Sequence, residues 1–349
     1  MNISFINTYI DTISLHYVGN KLTDDGIIIS KTQLKITDDL KKLLTHYFVS
    51  NFKSQEYFQL YHETDIKYNE VYGIVGNIFE DSHKFHINSI DLAKFLYEQS
   101  THPKIKSGEF YVVYLRNCEV DGDNVAAIGL FKSENKDTFL QIHSHGDDFE
   151  IESLQGININ KLDKGCLIFN TDKENGYLVS VVDNTNRQTE AQYWIDDFLH
   201  IRQRKDEYYN TQNMMSMTRS FVMKEMPQTF VDVSKADQAD ILTRSMEFFK
   251  EKESFKMEEF ANEVMSQPEV IDSFNRYKEV YEREQDVEIL DNFEISDSAV
   301  KKQARVFKSV IKLDKNFHIY VHGNNQYIKK GYDESTGMYY YQLFFKEEL

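Results

Sequence analysis

Apolar positions along the chain change their period several times, and each change marks a change of element. Ile36, Leu40, Leu43, Leu44, Tyr47 and Phe48 recur at helical spacing, which predicts an amphipathic helix over 37–52. Short β-rich runs at 13–18 and 27–29 precede it. A second helix is predicted over 69–79. A third is predicted over 88–99, with the Asn88 side chain as its cap and Asp91 in the first turn. Pro103 and Gly108 close this part. The period then becomes two. Runs at 109–118, 125–132, 138–143, 164–170 and 177–182 read as strands, separated by turn pairs such as Asp121-Gly122 and Asn175-Gly176.

From Ala191 the helical period returns. The string from Tyr193 to Leu199 brackets Asp196 and Asp197 with aromatic and aliphatic residues, the pattern of a core-anchored amphipathic helix. Met214, Thr218, Phe221 and Val222 mark one helix face. Ser234 and Asp237 have the spacing of a capping box in front of Ile241, Leu242, Met246 and Phe249. Two further helices are predicted over 257–265 and 270–281, broken at Pro268. The tail is β-rich at 317–321, 327–330 and 338–345. Closely spaced strands with hairpin turns favour an antiparallel sheet over a doubly wound parallel one. The expected class is therefore α+β. An α+β domain with an antiparallel meander and packed helices is expected over 1–200. A helical region followed by a small antiparallel β segment is expected over 201–349.

Composition narrows the class without naming an activity. The 349 residues are 41% hydrophobic and 28% charged, ordinary for a chain that buries a core. Mean hydropathy is −0.56, and no apolar run approaches the ~18 residues a membrane span needs. The first ten residues show neither a basic start nor a long apolar stretch, so no secretory leader is expected. Cys118 and Cys166 lie far apart and form no disulfide framework, which fits a reducing, cytoplasmic setting. Both fall in apolar strands, where a thiol is usually buried and inert. No G-x-S-x-G, G-x-G-x-x-G or Walker A string is present, and no cofactor is implied.

One string looks catalytic. His143, His145 and Asp147 form H-x-H-x-D after a strand, which resembles the opening of a hydrolase metal site. Asp148 stands where that signature wants a further His. The alternative is a pair of polar residues at the end of an exposed strand. His318 and His322, four apart in a predicted strand, share a face and have the same alternative.

Net charge is −17, which opposes wholesale coating of a polyanion and leaves room for a local basic patch or a protein partner. The charges are segregated. Segment 257–297 carries thirteen carboxylates against three cations. Lys301, Lys302, Arg305, Lys308, Lys312 and Lys315 follow, opposed by Asp314 alone. Lys301, Arg305, Lys308 and Lys312 recur at i, i+4, i+7 and i+11, so on one helix they would form a basic stripe able to grip phosphates. The same stripe could instead dock on the acidic segment or stay solvated. A smaller group, His200, Arg202, Arg204 and Lys205 with Tyr208 and Tyr209, mixes cations and rings as single-strand binders do, or forms a linker between domains.

Longer strings carry a resemblance. They run from Gly165 to Asn170, from Ala191 to Leu199, from Phe307 to Asp314 and from Lys315 to Gly323. A closing hairpin from Gly331 to Tyr340 follows. Together they resemble the bacterial 37-kDa nucleoid-associated protein family (NdpA/YejK-like). The resemblance implies a non-enzymatic cytoplasmic protein found with the nucleoid, meeting DNA directly or through protein partners. It transfers no catalytic residue. A metal-dependent hydrolase built on His143, His145 and Asp147, and an acidic scaffold for a basic partner, remain as alternatives.

Overall fold

A computed structural model describes residues 1–185, 193–307, 310–320 and 327–347. The chain divides into two compact units, Met1–Arg204 and Lys205–Leu349. The class is α+β, built on antiparallel sheets.

Unit 1 contains the strands β1 (Ile3–Ser4), β2 (Tyr9–Val18), β3 (Ile27–Ile28), β4 (Phe58–Leu60), β5 (Gly108–Val120), β6 (Asp123–Ser133), β7 (Asp137–His145), β8 (Asp148–Gly156), β9 (Lys164–Phe169), β10 (Leu178–Asp183) and β11 (Ile201–Gln203). Its helices are α1 (Asp38–Val49), α2 (Glu70–Glu80) and α3 (Phe85–Gln99). The main sheet runs β11-β4-β10-β9-β6-β5-β2-β3, with β1 added to β5. Every pairing in it is antiparallel. Asp121 and Gly122 both adopt positive φ, 50° and 92°, so the β5–β6 connection is a two-residue turn of the kind that matches strand twist.

Alternation along β5 feeds two cores. Phe110, Val112 and Tyr114 join α2, α3, Trp194 and Phe198 on one face. Tyr111, Val113 and Leu115 join Tyr47 and Phe48 of α1 on the other. Being covered on both faces, β5, β6 and β9 read as near-continuous apolar runs. The segment from Trp194 to Leu199 is a single π-helical turn rather than an amphipathic α-helix, and it buries Trp194, Phe198 and Leu199.

Asn88 is a correction. It does not cap α3, which begins at Phe85. A 3-10 turn capped by Asp81 leads straight into that helix. Asn88 is buried and donates its side-chain N–H to the Lys84 carbonyl. The helix predicted over 69–79 does form, as α2, and Asn69 stands just outside it as its cap, accepting from the Tyr72 N–H at 2.8 Å.

Unit 2 contains α4 (Glu207–Ser220), α5 (Met226–Thr229), α6 (Lys235–Glu251), α7 (Met257–Phe260), α8 (Pro268–Gln285) and α9 (Asp297–Gln303). Short strands β12 (Ser254–Lys256) and β13 (Asn292–Glu294) pair with each other. The tail forms two hairpins, β14 (Val310–Leu313) with β15 (Phe317–Tyr320), and β16 (Ile328–Asp333) with β17 (Met338–Leu343). The capping box at α6 is complete: the Asp237 N–H donates to Ser234 Oγ, and the Ser234 N–H donates back to the Asp237 carboxylate. Pro268 stands in the first turn of α8, where its missing N–H costs nothing. Methionine and phenylalanine side chains dominate the core of this unit, among them Met214, Met217, Phe221, Phe249 and Phe260. No described helix is long and apolar enough to cross a membrane.

Candidate nucleic-acid interface

The cations after residue 300 do not share one helix. Ser296 caps α9, which buries Ala299 and Val300 and leaves Lys301 and Lys302 exposed in its last turn. Cations there complement the negative end of the helix dipole. The Lys302 ammonium lies over the Tyr208 ring, 5.4 Å from its centre. The helix ends at Gln303, and Arg305 sits exposed in the turn that follows. From Val310 the chain is extended. Ile311 is buried and Lys312, next to it, points outward opposite His318. Lys315 is exposed in the β14–β15 turn, where Asp314 takes a positive φ of 51°. Lys308 and His322 lie outside the described residues.

The i, i+4, i+7, i+11 stripe is therefore a correction: helical spacing of lysines was overridden by strand alternation of Val310, Ile311 and Leu313. What survives is a run of exposed cations spread over a helix end, a turn and a hairpin.

The second tail hairpin adds cations that the charge pattern of 301–315 does not include. Lys329 and Lys330 on β16 are exposed beside aromatic rings. The Lys330 ammonium stands 4.9 Å from the Tyr339 ring centre and that of Lys329 5.5 Å from Phe344. Tyr332 and Tyr339 sit directly across the ladder with ring centres 4.9 Å apart. Tyr340 lies over Gly331, where a Cβ would fall 2.2 Å from the ring. These tyrosines are exposed. The visible signal was the interleaving of Lys and Tyr, which reads equally well as an ordinary strand until exposure is known.

The cluster at 200–209 is occupied. His200 pairs with Glu63 at 3.3 Å, Arg204 with Asp172 at 2.6 Å and Lys205 with Glu288 at 3.8 Å. Arg202 stacks on Tyr61 with its guanidinium carbon 4.1 Å from the ring centre. In the acidic segment, Lys252 binds Glu259 and Glu263, and Lys278 binds Asp291 at 2.5 Å.

His143 and His145 lie on β7, which pairs with β8 in a two-stranded ribbon. They point to one face, each toward a carboxylate across the ladder: His145 to Glu150 at 3.4 Å and His143 to Glu152 at 4.0 Å. Among the described residues no group of three His, Cys, Asp or Glu side chains converges as metal ligands would. Both thiols are buried, and burial pushes the Cys118 thiol up to about 11 and the Cys166 thiol higher still.

One set of buried ionisable groups carries no signal in the sequence. Lys132 and Lys164 face each other across β6 and β9, both fully buried, with the Tyr193 ring between them at 5.4 and 5.2 Å. Tyr193 donates to Glu134 at 2.7 Å, Lys132 donates to the Lys106 carbonyl at 2.7 Å, and Lys164 pairs with Asp183 at 2.8 Å. Burial lowers the Lys132 pKa, and Glu134 opposes that shift. Paired in this way, the set reads as a brace of the sheet rather than a reactive centre.

The described parts thus define an α+β protein of two units, with exposed cations and aromatic rings gathered in its terminal strands. A family model described as nucleoid-associated protein YejK matches residues 14–339, nearly the whole chain. The chain belongs to that family. A comparison with curated proteins gives no match.

Proposed function

We propose that this protein acts in the bacterial cytoplasm as a non-enzymatic nucleoid protein that binds DNA directly, through the cations of its last fifty or so residues. The observation that carries this reading is the reversal of charge. Residues 301–349 hold nine Lys or Arg against five Asp or Glu, in a chain whose net charge is −17. Lys301, Lys302, Arg305, Lys312 and Lys315 supply phosphate contacts, with Lys308 alongside them in sequence. Lys329 and Lys330 add to them, and the exposed rings of Tyr332, Tyr339 and Tyr340 offer stacking surfaces to unpaired bases. The acidic remainder keeps the chain from spreading along DNA non-specifically.

Fluorescence anisotropy on labelled duplex and single-stranded DNA across a salt series tests this. Direct binding predicts that log K falls linearly with log salt, with a slope of about −0.9 per phosphate neutralised on duplex. Reversing Lys301, Lys312 and Lys315 to Glu should flatten that slope by about three contacts and weaken binding at every sequence tested. An unchanged slope would remove these residues from the interface. No binding at low salt would place a second protein between this chain and the nucleoid.

A further inference from the structure

The ribbon β7–β8 is hydrogen-bonded only to itself among the described strands. Its root is fixed. Asp163 accepts the backbone N–H groups of Glu134 and Asn135 at 2.7 and 2.8 Å, and Asn158 donates to Asp137 at 2.8 Å. Beyond the root, both faces of the ribbon are open to water. A two-stranded ribbon alone in water is marginal and needs a covering surface.

The register decides what that surface is. Residues opposite each other share a face, so Ile142 with Ile151, Leu140 with Ser153 and Ser144 with Phe149 lie on one side. Leu140, Ile142, Phe149 and Ile151 form its centre and are 62–75% exposed. Only hydroxyl and amide side chains flank them, and that face carries no charge. The opposite face holds His143, His145, Asp148, Glu150 and Glu152 toward the tip, and Phe139 with Leu154 nearer the root.

We infer that the uncharged face of this ribbon packs against the same face of a second copy of the chain. A polyanion would find no cation anywhere between residues 137 and 156. A basic partner would be drawn to the acidic face and leave the apolar one bare. A two-fold contact brings like against like without repulsion, because the contacting face is neutral and both acidic faces stay in solvent. The area agrees. Four side chains of roughly 100 Å² each, with their flanks, bring the total for two copies close to the ~1,000 Å² that marks the smallest specific interfaces. The expected dimer is therefore a weak one, with a Kd on the order of micromolar. The inference stands apart from DNA binding.

Sedimentation velocity on the full chain from about 1 to 100 μM should show mass action between the chain mass and twice that mass. Ile142→Asp with Ile151→Asp should raise Kd at least tenfold, because two buried carboxylates would meet their copies. Their exposed positions leave the fold intact, which unchanged far-UV circular dichroism would verify. Glu152→Lys, on the opposite face, should leave the dimer in place. Ile142→Cys should cross-link on mild oxidation and Gln141→Cys should not, since Cys118 and Cys166 are buried and do not compete. A monomer throughout the range, or a dimer indifferent to the Asp pair, overturns the inference. So does loss of the dimer in Glu152→Lys alone.

Discussion

His16 lies buried in β2, and its neutral form fits its surroundings. The Ser30 N–H donates to Nδ1 at 3.3 Å, and Nε2 meets Ser89 Oγ at 3.1 Å. Burial, with the nearby His86 ring as a second cause, lowers its pKa to about 4. The unfolded chain takes up this proton near pH 6.5 and the folded chain does so only near 4. Stability from this group is therefore whole above about pH 6.5 and is lost as the pH falls toward 4, by about 3 kcal/mol at the limit. Urea denaturation followed in unit 1 at about pH 7 and pH 4.5 should show this loss, and His16→Gln should remove most of it. An identical pH dependence in the variant would mean that other groups carry it. The neighbouring brace of Lys132, Lys164 and Tyr193 shows why single residues resist reading from sequence. A lysine in an apolar strand looks like an edge or a turn, yet both lysines here are fully buried. Only the fold brings Glu134 and Asp183 to them.

Elements are most legible where a local rule and the tertiary context agree. Ser234 and Asp237 announced α6, and the box forms with both bonds in place. Ser234→Ala should cost about 1 kcal/mol in the stability of unit 2, read by chemical denaturation. No change would mean that packing alone fixes that helix end. The strands β5, β6, β9 and β10 were equally plain, because apolar runs and tight turns pointed the same way. Three places were not plain. Asn88 had a cap's chemistry, but the 3-10 turn at Ser82–Lys84 had already started the helix. The strand β8 shows the strand period in Phe149, Glu150, Ile151 and Glu152, but only over those four residues before Ser153 and Leu154 break it. The basic stripe failed because lysines at helical spacing say nothing of the backbone, whereas Val310, Ile311 and Leu313 do. The presence of the cations was thus legible, and their geometry was not.

At the scale of the molecule, charge and fold are distributed unevenly between the units. The strongly acidic segment and the basic tail both belong to unit 2. The large sheet belongs to unit 1, and so do both cysteines, Cys118 in β5 and Cys166 in β9. With no thiol after residue 166, unit 2 is silent to any sulfhydryl reagent. A thiol-reactive dye added to the native chain should label at least about a thousandfold more slowly than it labels a free thiol, since both groups react only when the sheet opens. Fast labelling of either would show that the sheet frays around that strand. Two burials that make these thiols useless as nucleophiles thus make them a clock: their labelling rate times the opening of one half of the protein while the other half contributes nothing to the signal.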